Sequence, residues 1–232
     1  LGACGAAVIV ILVICTRVQV KYWRDEVTLY KHTVEVTNKN YVMLSNLGNA
    51  LYLENKISDA EAAFRDSLSI RPDHPYALCN LGNLLWSQGK YAEAIDCFYK
   101  SAKTNPDFYL SYTNLGKTFY SLGQFDKAVS YFTWSLKLKP DCPDTYYDLG
   151  VVFQSQNQTD KAIAHYRHAI QLKPNYVAAY NDLGNLFWSC GRLSEAIDCF
   201  YHGLRYEPNN VGLHVNLAGV LVSQGKSGEA IS

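Results

Sequence analysis

The sequence predicts an all-α solenoid of helix-turn-helix repeats, and three observations predict it. A Leu-Gly pair recurs at Leu47-Gly48, Leu81-Gly82, Leu115-Gly116, Leu149-Gly150 and Leu183-Gly184, with Leu217-Ala218 as a sixth, and every step is 34 residues. A small residue follows each pair at a fixed offset (Ala60, Ala94, Ala128, Ala162, Ala196, Ala230), and one helical turn beyond it comes an aromatic (Phe64, Phe98, Phe132, Tyr166, Phe200). Proline closes each unit at Pro72, Pro106, Pro140, Pro174 and Pro208. A fixed period of this size marks an array of supersecondary units, each burying its apolar face against its neighbours.

At the start of the chain, Leu1 to Thr16 reads LGACGAAVIVILVICT and carries no charge. Sixteen residues of helix span about 24 Å, short of the ~30 Å hydrocarbon core. The chain also begins without Met. Residues 1–17 are therefore read as the C-terminal part of a transmembrane helix. Arg17, Lys21 and Arg24 supply cationic anchors, and Tyr22 and Trp23 stand where interfacial aromatics belong. A signal-peptide core would need a basic n-region and a small-residue cleavage site, which are missing. A buried first helix of the solenoid is the other alternative. Residues 18–40 form a juxtamembrane segment. Tyr30 lies one stride before Phe64, so DEVTLYKHTVEV, residues 25–36, is predicted as a lone helix of the second type.

The repeats follow at 41–74, 75–108, 109–142, 143–176 and 177–210, with a partial sixth at 211–232. Each is predicted as two antiparallel helices, A and B. The glycine inside helix A costs up to ~1 kcal/mol against alanine, which is tolerable if the missing side chain lets helix B approach. Seven residues after it stands Asn55, Gly89, Gly123, Asn157, Gly191 or Gly225. These are the residue types that tolerate the left-handed conformation ending a helix. After each proline comes Asp73, Asp107, Asp141, Asn175 or Asn209, a residue type suited to capping the next helix A. The sixth unit stops at Ser232 without a polar capping helix, so further repeats or another domain are expected beyond it.

This pattern resembles the tetratricopeptide repeat from about residue 41 onward. The resemblance implies a right-handed superhelix with helix A on the concave face. Before each Leu-Gly pair stands Asn46, Asn80, Asn114, Asp148, Asp182 or Asn216; after it stands Asn49, Asn83, Lys117, Val151, Asn185 or Gly219. The two columns are three residues apart and share a helical face. An amide carries both donor and acceptor and can pair with an extended peptide of any sequence. Tyr52, Trp86, Tyr120 and Trp188 add aromatic walls. The candidate peptide-binding residues are thus Asn46, Asn49, Asn80, Asn83, Trp86, Asn114, Lys117, Tyr120, Asp148, Asp182, Asn185, Trp188 and Asn216. The alternative is that these amides solvate the groove or bridge between helices. The ladder is similar to the asparagine ladder of O-linked N-acetylglucosamine transferase, departing from it at Asp148, at Asp182 and in the last unit. The carboxylate clamp of chaperone-binding repeats needs bases on this face. The residues before the ladder are instead Ser45, Cys79, Thr113, Tyr147, Asn181 and Val215, and Lys117 faces Asp148.

The formal charge is zero and no basic stripe occurs, which argues against nucleic acid. His165 and His168 share a helix face without a third metal ligand. Cys97 and Cys199 occupy one repeat position as small core residues, and Cys4 and Cys15 lie in the apolar segment. Asn157-Gln158-Thr159 is a glycosylation sequon in an A–B turn. No phosphate loop, activated nucleophile or cofactor motif is present, so no catalytic residue, metal or small-molecule cofactor is assigned. The expected function is a membrane-tethered scaffold for a protein or extended peptide. The juncture TRVQVKYWRDEVTLYKHTVEVTNKN is also similar to one in transmembrane and tetratricopeptide-repeat O-mannosyltransferases. That resemblance implies a substrate-recognition part whose catalytic portion lies elsewhere; the ladder implies the same part of an O-linked N-acetylglucosamine transferase-like enzyme, which the apolar start argues against. The juncture bases favour a cytoplasmic repeat domain; the resemblance and the sequon shift the expectation slightly to the luminal or extracytoplasmic side.

Overall fold

A computed structural model of the chain describes residues 24–225. They form twelve α-helices and, among the described residues, no strand. The readings for residues 1–17, for Ala230 and for the end of the sixth repeat lie outside the described residues. No helix among the described residues is long and apolar enough to cross a membrane.

The chain divides into two compact units, Leu1–Asn114 and Leu115–Ser232. The first holds α1 (Glu26–Val36), α2 (Tyr41–Leu53), α3 (Ile57–Ile70), α4 (Pro75–Ser87), α5 (Tyr91–Thr104) and the start of α6 (Tyr109–Ser121). Helix α1 covers the stretch 25–36 that the sequence predicts as helical. Its N-cap Asp25 accepts a hydrogen bond from the Thr28 N–H at 2.8 Å, and it packs against α2. Helix α2 then pairs with α3 and α4 with α5, and the A helices α2 and α4 also touch. The second unit holds the rest of α6, then α7 (Phe125–Leu138), α8 (Pro143–Ser155), α9 (Thr159–Leu172), α10 (Val177–Ser189), α11 (Leu193–Tyr206) and α12 (Val211–Ser223). Here α8 pairs with α9 and α10 with α11, and α10 touches α12.

The core is the repeat pattern made solid. A Cβ on Gly82 would stand 2.5 Å from the Phe98 ring, and one on Gly184 would stand 2.6 Å from Phe200. Those rings are 1% and 0% exposed, so they cannot yield. Ala60, Ala94, Ala128, Ala162 and Ala196 are all fully buried. The glycine and the alanine thus bring the two helices of a repeat together, and the aromatic fills the seam.

The A–B turns follow the sequence. Asn55 and Asn157 take φ of 60° and 58°, and Gly89, Gly123, Gly191 and Gly225 take 69–81°. The next residue closes a Schellman motif: Lys56 N–H to Leu51 C=O at 2.9 Å, Lys90 to Leu85 at 2.9 Å and Gln158 to Phe153 at 2.8 Å.

The B–A turns correct one expectation. The caps of the A helices fall one residue later than the residue after proline, on His74, Cys142, Tyr176 and Asn210. Of these four, only Asn210 caps with its side chain, accepting from the Leu213 N–H at 3.1 Å. The reason is a β-turn. His74 N–H bonds to Arg71 C=O at 3.2 Å and Asn210 N–H to Glu207 C=O at 3.1 Å, which makes Pro-Asp and Pro-Asn the two central turn residues.

A further link joins the helices of a repeat. The Ser67 hydroxyl donates to Tyr41 C=O at 2.7 Å, and the Ser101 hydroxyl to Pro75 C=O at 3.0 Å. Each ties the end of helix B to the first turn of its own helix A.

Candidate functional site

The exposed face of the A helices carries the predicted columns, and the two units treat them differently. In the first unit, Asn46 and Asn80 are half-buried on α2 and α4, and Asn49 and Asn83 are exposed one turn on. These four amides make no side-chain hydrogen bond to another described residue. Trp86, 39% exposed, follows one turn later. Asn114 is different: its amide N–H donates to Cys79 Sγ at 3.9 Å, over a buried group in which the Ser111 hydroxyl donates to Ser101 Oγ at 2.8 Å.

In the second unit the first column is engaged between neighbouring helices. Tyr147 O–H donates to Asp182 Oδ2 at 2.6 Å, Asn181 to Asp182 Oδ1 at 3.1 Å, and the Asn216 amide to Asn181 Oδ1 at 2.8 Å. One hydrogen-bonded chain therefore runs from α8 through α10 to α12. Asp148 sits beside it, its Oδ2 3.4 Å from Lys117 Nζ. Burial pushes the Asp148 carboxyl up to about 6, against the pull of Lys117. Burial, reinforced by the Asp182 carboxylate, raises the Tyr147 phenol and keeps it a hydrogen-bond donor.

The second and third columns of this unit edge an open concavity of about 440 Å³. Tyr120, Val151, Gln154, Ser155 and Asp182 line it. The second-column Asn185 is half-buried. Trp188 lies over the next helix: a Cβ on Gly219 would stand 2.6 Å from its ring. That glycine makes room for the indole.

The residues that the ladder reading missed are Cys79, Tyr147 and Asn181, the partners of Asn114, Asp182 and Asn216. They occupy the column just before the ladder. The signal was a partner 35 residues upstream, one more than the repeat stride. The paired histidines are absorbed by packing. His165 stacks on Phe153 at 5.1 Å and His168 lies 4.1 Å from Tyr146. Among the described residues no cluster of His, Cys, Asp and Glu is placed to hold a metal ion. Burial pushes the Cys97 thiol up to about 11 and the Cys199 thiol to about 12, so both stay protonated and unreactive at neutral pH.

Family models described as tetratricopeptide repeat match residues 42–71, 75–108, 109–142 and 177–210, and one described as TPR repeat matches 154–191. Together they cover about two thirds of the chain. The chain belongs to the tetratricopeptide repeat family.

Solved structures agree in fold. A chain of the APC/C hetero-tetramer Cut9-Hcn1 superposes with a TM-score of 0.75 at 25% identity, over 87% of this chain and 40% of its own. This chain thus spans less than half of that relative. MamA superposes with a TM-score of 0.61 at 25% identity, over 70% of this chain and 95% of its own. A thermophilic TPR protein of Thermus thermophilus does so with a TM-score of 0.67 at 23% identity, over 78% of this chain and 99% of its own. No curated protein matches the sequence. The resemblances to O-mannosyltransferases and to O-linked N-acetylglucosamine transferase have no counterpart among these matches.

Proposed function

We propose that this tetratricopeptide chain is a non-catalytic scaffold that holds an extended peptide or a segment of a partner protein along its A-helix face. One observation carries the reading. Asn46, Asn49, Asn80 and Asn83 stand in register on adjacent helices with no internal partner among the described residues. A half-buried amide is stable there when water or a peptide backbone satisfies it, and a peptide offers both of the groups it needs. Membership of a hetero-tetramer by the Cut9-Hcn1 relative fits a scaffold role. The test selects displayed random decapeptides on the full chain, then measures their affinity by fluorescence anisotropy. Asn80→Ala with Asn83→Ala should weaken recovered peptides at least tenfold with an unchanged helical circular dichroism signal. Unchanged affinity would remove the amides from the site.

A second reading adds a membrane tether. The uncharged run Leu1–Thr16, followed by Arg17, Lys21, Tyr22, Trp23 and Arg24, supports it. In this reading the scaffold presents substrate, from the luminal or extracytoplasmic side, to a membrane glycosyltransferase whose catalytic part is outside this chain. The full chain expressed in cells should pellet with membranes, resist carbonate extraction, and be digested by added protease only after the vesicles are permeabilised. Release by carbonate would end the tether, and digestion of intact vesicles would reverse the topology.

A further inference from the structure

The concavity of the second unit differs in character from the amide columns. Its hydroxyl protons are turned inward. Tyr147 donates to Asp182 Oδ2 at 2.6 Å and Tyr166 to Gln154 Oε1 at 2.7 Å. Ser155 donates to Val151 C=O at 3.0 Å, so the 3.1 Å contact between Tyr120 and Ser155 has the phenol as donor. The amides of Gln154 and Asn157 also line the concavity and carry N–H donors, so its net charge comes from one carboxylate, with the half-exposed ring of Tyr120 on the same wall.

Asp182 gives this surface its charge. A carboxylate has about four acceptor positions, and Tyr147 and Asn181 occupy two. Lys117, the base on this face, pairs with Asp148. Among the described residues no Lys or Arg forms an ion pair with Asp182. A half-buried carboxylate that shares an open concavity of about 440 Å³ with an aromatic ring is chemically matched to an ammonium or guanidinium group.

We infer that Asp182 and Tyr120 form a subsite for one cationic side chain, lysine or arginine, of the bound peptide. This rests on the reading of the A-helix face as a peptide site. It adds a charge preference to a groove whose amide columns have none. The carboxylate takes the cation's N–H groups, and the Tyr120 ring covers its flank.

The test compares pools of acetylated, amidated decapeptides on the immobilised full chain. One position is fixed in turn as Arg, Lys, citrulline or norleucine, and the others are randomised. At least one position should show the Arg and Lys pools binding tenfold or more tighter than the citrulline and norleucine pools. That preference should fall below threefold in Asp182→Asn, which keeps an acceptor for Tyr147, and should weaken in Tyr120→Leu, which leaves the chain from Tyr147 to Asn216 intact. Melting curves confirm that each variant is folded, and Tyr120→Leu alone decides if Asp182→Asn is not. Equal binding of all pools at every position overturns the subsite and leaves the peptide scaffold standing. Absence of binding by every pool overturns both. A full cation preference retained in folded Asp182→Asn also overturns the subsite.

Discussion

Gly82 and Asp148 show how much of the molecule is decided at single positions. Gly82 has no room for a methyl group, because the Phe98 ring that would have to move is fully enclosed. Gly82→Ala should destabilise the chain by about 1–3 kcal/mol through overpacking, read as a lower urea midpoint with unchanged m-value. Asp148 acts through protons. Its folded carboxyl titrates near 6 rather than at the ordinary 3.8, chiefly because it is buried. Between those values the folded chain binds a proton that the unfolded chain lacks. The stability this group contributes is therefore complete below about pH 4 and is lost as pH rises through 6, by up to about 3 kcal/mol. Asp148→Asn should be more stable than wild type at pH 7.5, and the gap in melting temperature should narrow toward pH 4.5. A constant gap would show that the carboxylate is already satisfied by Lys117.

At the scale of the element, each helix end has its own device, and these were unequally visible in the sequence. The A–B turns were legible because a left-handed residue restricts the choice to Gly or Asn, and both appear at one fixed offset. Asn157 holds φ at 58°, a conformation that glycine adopts with less strain. Asn157→Gly should raise the melting temperature slightly, by the equivalent of about 0.5 kcal/mol. The caps were misplaced by one residue because Asp and Asn favour both a helix cap and a turn centre. Only the hydrogen bond closing the turn, such as His74 to Arg71, distinguishes the two. The serine ties left no sequence signal of their own, since Ser67 and Ser101 sit among buried apolar neighbours where a small residue alone would fit. Replacing Ser101 with alanine should cost about 1–2 kcal/mol, because Pro75 C=O loses its side-chain donor and the buried Ser111 hydroxyl loses its acceptor.

For the molecule as a whole, the period was enough to give the helical class and the A–B pairing among the described residues, since every repeat poses one packing problem and answers it alike. Stability should then be a sum of repeat and nearest-neighbour terms. Gly82→Ala and Gly184→Ala press on different rings, Phe98 and Phe200. Their combined destabilisation should equal the sum of the single values within about 0.5 kcal/mol. The face of the A helices was legible as a set of positions, though the chemistry at each was not. An asparagine in the first column reads the same whether it stands open, as Asn80 does, or bridges to a neighbour, as Asn216 does. That depends on the residue one stride and one position upstream, which the repeat alignment places in a different column.

That extra position has a consequence for anyone who treats the units as interchangeable cassettes. Residues 75–108 and 177–210 look like copies, yet exchanging them would set Asn80 against Tyr147 and Cys79 against Asn216, in place of the carboxylate and amide now bonded there. Each cassette carries half of a lock whose key is cut in the adjoining one, so the order of the modules is itself part of what the gene must preserve.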